Sequence, residues 1–156
     1  MSTATEPLPT CVEIIVPTLP VAQPRPRAGL RGNHAMIYQP KSHPVVVFKS
    51  SVQMAAREVL RGRPPRRGPL GVDCVFVFPR TQNQIWKRKP MPRMRHIKKP
   101  DRDNLDKAVL DALTGIAWAD DRQVCAGSIE KWIASGDEQP HVVIRIYEVE
   151  ETNGNN

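Results

Sequence analysis

The sequence predicts an α/β domain with a small mixed sheet and two main helices, in the order β-α-β-α-β-β. Three observations carry this prediction. Residues 70–78 form an apolar run in which both alternating sets are hydrophobic. Two other stretches repeat apolar residues at helical spacing. The last third of the chain adds two strand-like runs joined by a turn-like segment. At 156 residues the chain has the length of one domain, assigned to 1–150, with polar ends at 1–10 and 150–156 expected to be flexible.

The elements follow in chain order. Cys11 to Val16 is a short apolar strand closed by Pro17 and Pro20. Residues 21–44 hold four prolines, two glycines and the arginines Arg25, Arg27 and Arg31, and are expected to be a loop whose arginines either contact backbone phosphate or are merely solvated. Ser50 or Ser51 caps a helix running to about Arg61. Val52, Ala55, Ala56, Val59 and Leu60 form its apolar face, and Gly62, Pro64 and Pro65 prevent its continuation.

In the strand at 70–78, Val72, Cys74, Phe76 and Phe78 line one face while Val75 and Val77 line the other, so both faces are expected to be covered. Residues 80–100 are rich in Lys and Arg, free of acid and broken by Pro90, Pro92 and Pro100, so no regular structure is expected there. A second helix runs from Asp103 to about Thr114. Leu105, Ala108, Val109, Ala112, Leu113 and Ile116 form its apolar stripe, with Asp103 as cap, Asp106 in the first turn and Gly115 as stop. Residues 124–133 and 141–149 then read as strands. In the second of these Val142, Ile144 and Ile146 point inward while Arg145 and Tyr147 point outward.

The charge is strongly polarised. Residues 21–100 hold 18 Lys and Arg against Glu58 and Asp73, whereas residues 101–156 hold 5 basic and 12 acidic residues. A basic half that holds phosphates beside an acidic pocket that holds cations suits a nuclease. The cations assigned to DNA are Arg25, Arg27, Arg80, Lys87, Arg88, Lys89, Arg93, Arg95, Lys98 and Lys99, with Trp86 able to stack on an unpaired base. Cys11, Cys74 and Cys125 are odd in number and widely spaced, which argues against a disulfide framework or a zinc site; Cys11 and Cys74 read as small core residues. No stretch approaches transmembrane length and no basic-then-apolar leader is present, so the chain is expected to be soluble and intracellular.

The acidic pocket is expected around the second helix. Asp101 and Asp103 stand two apart at its mouth, Lys107 follows Asp103 by one turn, and Asp120 and Asp121 come just after the helix, from where a short loop is expected to return one of them to the same pocket. Hard divalent cations take a few carboxylate oxygens together with water and phosphate. An EF-hand starting at Asp101 is excluded, because Leu105, Asp106 and Ala112 stand where an oxygen ligand, glycine and glutamate are needed. An aspartyl-phosphate mechanism would place the aspartate pair on an apolar strand end, not after a basic Pro-broken run. His96 and His141 have no evident nucleophile partner in sequence.

The run Pro100-Asp101-Arg102-Asp103-Asn104-Leu105-Asp106-Lys107, then Asp111-Ala112-Leu113, then residues 118–124 (Trp-Ala-Asp-Asp-Arg-Gln-Val) resembles the RusA family of Holliday-junction resolvases, typical of phages and prophages. The segment at 24–27 and the strand at 70–78 resemble the family more weakly. The resemblance implies an intertwined homodimer that cuts four-way DNA junctions symmetrically with Mg²⁺, or Mn²⁺ in its place, in the cytoplasm of a bacterial or phage-infected cell. It also implies metal-ligand roles for Asp101, Asp103 and Asp121, with Asp120 a neighbouring candidate, and an essential basic role for Lys107. A broader branched or flap DNA endonuclease would use the same residues. A non-catalytic junction-binding protein is the alternative of a different class.

Overall fold

The computed structural model describes residues 10–24, 27–31, 34–38 and 43–151. A mixed six-stranded sheet carries two α-helices on one face. Strand β1 (Cys11–Val16) alternates exposed and buried residues along its length. A hairpin follows, β2 (Arg27–Arg31) paired antiparallel with β3 (His34–Tyr38) as a separate two-stranded sheet. The segment expected to be loop therefore contains regular structure. Neither paired run contains a proline, so every paired residue keeps its backbone N–H.

Helix α1 (Val45–Leu60) begins earlier than its serines suggest. Pro44 occupies the capping position with φ −54°, already suited to a helix, and the His43 ring accepts the free Val45 N–H at Nδ1, 3.1 Å. The early start adds Val45 and Phe48 to Val52, Ala56 and Leu60 as the buried stripe, while Val59, expected to be inside, is 40% exposed. Arg61 ends the helix in the left-handed region at φ 49°.

Strand β4 (Leu70–Phe78) is central, flanked by β8 (His141–Glu148) and β7 (Ile129–Ile133). Residues 80–100 are not wholly irregular. They form a 3₁₀ turn at Gln82–Gln84 and a two-residue strand β5 (Met94–Arg95) paired with β7. Helix α2 (Arg102–Leu113) follows. The chain then makes a 3₁₀ turn at Asp121–Gln123 and runs through β6 (Val124–Ala126) and β7 (Ile129–Ile133), both parallel to β4, before β8 (His141–Glu148) returns antiparallel between β1 and β4.

The expected single strand at 124–133 is split at Gly127. Its φ of 139° suits glycine, and a Cβ there would collide with the Val72 carbonyl. The break lets Ser128 donate its N–H and hydroxyl to the Asp73 carboxylate, at 2.9 and 3.2 Å.

The core lies between the sheet and the helices. Ile14, Val16, Cys74, Phe76, Val142 and Ile144 are fully buried against Phe48 and Val52 of α1 and Leu105, Val109 and Leu113 of α2. Trp118 is also fully buried, its indole N–H donating to Thr114 Oγ1 at 3.1 Å. Cys74 is a core residue as expected, but Cys11 falls on the outward set of β1 and is exposed. On the other side of the sheet, which carries no helix, Val77 is buried and Val75 half-buried.

Candidate active site

The chain enters α2 from an extended residue. Asp101 stands at the capping position with φ −70° and ψ 142°, and its backbone carbonyl accepts the Leu105 N–H at 3.2 Å. Its carboxylate makes no capping hydrogen bond. Asp103, expected to be the cap, is the second residue inside the helix. There the macrodipole favours a negative charge. Its side chain is 89% exposed and, among the described residues, its one ion pair is with Arg102, at 3.9 Å. Lys107 is exposed one turn later on the same side of the helix.

Asp106 lies in the second turn, not the first, and is half-buried. Burial, reinforced by the nearby Asp103 charge, pushes its carboxyl above the usual carboxylate range. The sequence marked Asp106 only as a dipole partner. Its burial follows from its place on the helix surface between Val109 and Leu110, one turn further on.

Asp101 borders a cavity of about 730 Å³ lined by Gln23, His43, Phe78, Lys99, Pro100 and Asn104, among others. Gln23 ties this wall together by donating its backbone N–H to the Asn104 carbonyl at 2.8 Å. Gln23, His43 and Asn104 carried no distinctive spacing of their own, although Asn104 sits within the acidic motif.

Asp120 and Asp121 do not return to this cavity. Phe78 closes β4 at the Asp101 end, whereas the 119–123 segment is tied to the residues that precede β4. The Gln123 amide accepts the N–H groups of Ala119 and Asp120 at 2.9 and 2.8 Å and donates to the carbonyls of Arg66 and Gly68, both at 3.0 Å. Helix α2, 12 residues long, carries the chain away from Asp101 by about 18 Å. Among the described residues no three His, Cys, Asp or Glu side chains come together as a metal-holding group.

The two late aspartates differ. Asp120 caps the 3₁₀ turn, accepting the Arg122 N–H at 2.9 Å, and both its oxygens face the Arg122 guanidinium at 2.8–3.1 Å. These bonds hold its carboxyl down at about 2. Asp121 is exposed.

The basic segment is similarly divided. Arg80 donates to the carbonyls of Gln84, Pro92 and Ala134 at 2.6, 2.9 and 3.0 Å, so it braces the 80–94 loop. Arg93 forms a forked pair with Glu138, its shortest contact 2.6 Å. Arg95 lies 3.6 Å over the Trp132 ring and 3.4 Å from Glu130. The Trp86 ring carries Arg80 at 4.8 Å and Lys89 at 4.3 Å. Lys87, Arg88, Lys98 and Lys99 are exposed. Arg27 pairs through its backbone with Tyr38, while Arg25 lies outside the described residues.

No helix among the described residues is long and apolar enough to cross a membrane. In sequence, the chain is 32% identical over 146 residues to the uncharacterized protein YqaN of Bacillus subtilis (strain 168), covering 89% of this chain and 97% of that one. Residues 17–147 match the family described as endodeoxyribonuclease RusA, a span that holds both aspartate pairs, Lys107 and the cation-rich loop. The chain belongs to the RusA endodeoxyribonuclease family.

Proposed function

We propose that this protein is a Mg²⁺-dependent, structure-selective endodeoxyribonuclease that resolves Holliday junctions by paired symmetric nicks, as a homodimer, in recombination, repair or phage DNA processing. One observation carries the reading beyond the family match. Asp101 makes no capping hydrogen bond and lines a large cavity at the end of a cation-rich segment, and Asp103, two residues on, is 89% exposed and no closer than 3.9 Å to Arg102. A carboxylate that neither caps nor pairs closely is available to a cation.

Asp101, Asp103 and Asp121 offer the hard oxygen donors that Mg²⁺ prefers, and Mn²⁺ would be accepted by the same set. Asp120 is less suited, because Arg122 occupies its oxygens. When bound, the cation supplies Lewis acidity toward the attacking water and the charge developing on the phosphate. Lys107 projects beside Asp103 and stabilises that same charge without a proton transfer. The exposed cations of residues 87–99 hold the flanking phosphates and set the register of the strand.

The distance between the two aspartate pairs gives the homodimer a chemical purpose. A single chain keeps Asp121 at the far end of α2, so a three-carboxylate site needs Asp121 from a second copy. Two such sites related by a two-fold axis match the near two-fold symmetry of a four-way junction.

The test is to mix two inactive variants, Asp103→Asn and Asp121→Asn, and to assay junction cleavage in Mg²⁺. A shared site restores one intact centre in each mixed dimer, so cleavage returns as single nicks. No recovery in proven mixed dimers would confine each site to one chain. Full activity of both single variants would remove these residues from the chemistry.

A further inference from the structure

Ile97 is the most exposed large apolar side chain among the described residues, at 90%. Single exposed apolar residues are ordinary on protein surfaces, but two features set this one apart. The first is its support. His96, on one side, donates its backbone N–H to the Lys131 carbonyl at 3.1 Å and lays its ring against Phe78, the centroids 4.5 Å apart. Lys98, on the other side, holds the Lys131 ammonium with its carbonyl at 2.5 Å. Both neighbours are anchored to the core strands while the side chain between them stands in solvent.

The second feature is its surroundings. Arg95, Lys98 and Lys99, its neighbours in sequence, are exposed, Arg95 also lying over Trp132 and beside Glu130. Asp101 follows four residues later, no more than about 14 Å away even if the chain were fully extended. That is roughly four steps along a DNA strand, at about 3.4 Å per step. Protein-docking patches are depleted of lysine at their centres. An exposed apolar side chain flanked in sequence by cations, with its neighbours' backbone fixed, fits nucleic acid instead.

We propose that Ile97 is a wedge that inserts between bases at the branch point of bound DNA and holds the strand open next to the scissile phosphate. The proposal rests on the endonuclease reading above and supplies the way that site prefers branched DNA. An apolar side chain between base steps replaces part of the stacking it disrupts. At a branch point the stack is already interrupted, so insertion costs less there than within a duplex. Phosphates on either side are held by the neighbouring cations.

The test uses the full-length chain and a four-way junction carrying 2-aminopurine at the branch point, with the same base in a matched duplex. The Asp103→Asn background keeps the DNA uncut. We expect this protein to raise branch-point fluorescence, D103N/I97A to abolish the rise, and D103N/I97L to retain it. In the cleaving protein, Ile97→Ala lowers junction cutting tenfold or more with an unchanged melting temperature. An equal fluorescence rise with D103N/I97A, or wild-type cutting by I97A, would overturn the wedge. Loss of the dimer in I97A would overturn it too, assigning Ile97 to a protein contact. Failure of the endonuclease reading is separately visible as a wild-type protein that cuts no junction in Mg²⁺ or Mn²⁺, because the fluorescence arm needs binding alone.

Discussion

Arg93 grips Glu138 through two nitrogens, Nε at 2.8 Å and a terminal nitrogen at 2.6 Å, and so fastens the basic segment to the turn between β7 and β8. The guanidinium holds the Glu138 carboxyl down at about 2, and the Ser135 N–H adds a further bond at 3.0 Å. A carboxylate with a depressed folded pKa stabilises the fold fully above its unfolded value and loses that contribution as pH falls through the folded one. Stability should therefore decline between about pH 5 and pH 2, in part through this pair. Glu138→Gln should lower the melting temperature at pH 7 by up to about 4 °C, since the pair is partly exposed, and should flatten the acid dependence. Thermal melts across this pH range check both; an identical acid slope in the variant would contradict the assignment.

The three cysteines should separate by reactivity. Burial, with Asp106 and Asp73 nearby, pushes the Cys74 thiol far above its usual range, so it stays protonated and inert. Cys11 and Cys125 are exposed. Alkylation of the native protein should modify two cysteines, and the third only in denaturant, as mass spectrometry of the labelled peptides would report. Native labelling of Cys74 would contradict its place in the core.

Trp118 should be the costliest single side chain to truncate. It is fully buried beside the Arg66–Trp118 bridge that joins the segment before β4 to the turn after α2. Trp118→Ala should cost about 3–5 kcal/mol, a large share of a domain's total stability, whereas Trp118→Phe should cost less because most of the packing remains. Urea melts of the two variants measure the difference.

The cations should divide into two kinds. Arg80 serves three carbonyls of its own fold, so Arg80→Ala should lower stability by about 1.5–3 kcal/mol. Lys87 and Arg88 are exposed, and replacing both by Ala should leave stability within about 0.5 kcal/mol. The same change should reduce the slope of log affinity against log salt for DNA by about 0.9 per lost phosphate contact. An unchanged slope would remove these residues from the interface.

Much of the fold was legible because periodicity reports which side of an element is buried. The bounds of β4, the inward residues Val142, Ile144 and Ile146 of β8, and the apolar stripe of α2 from Leu105 to Leu113 follow from the sequence pattern, whereas Ile116, expected in that stripe, lies in the turn after the helix and is half-buried. The start of α1 was not legible. Its Val-Val-Val-Phe run is β-branched and strand-like, and packing of Val45 and Phe48 overrides that preference. Cys11 shows the same limit from the other side, an apolar residue on the outward set of an edge strand.

The site was legible as a motif but not as a geometry. Spacing places Asp101, Asp103 and Lys107 at one helix end. It does not reveal that α2 runs opposite to β4, which carries Asp120 and Asp121 away from Asp101. Nor does composition distinguish Arg80, folded onto carbonyls, from Lys87, turned to solvent. That division depends on contacts with residues as distant in sequence as Ala134.

The most direct test is cleavage of a synthetic four-way junction by the wild-type chain and by Asp103→Asn, with and without Mg²⁺, using linear duplex as control. Paired symmetric nicks that need the metal are expected, with no comparable cutting of duplex and a fall of at least about 100-fold in the variant with junction binding retained. Tight junction binding without cutting in Mg²⁺ or Mn²⁺, or undiminished cutting by the variant, would contradict this expectation.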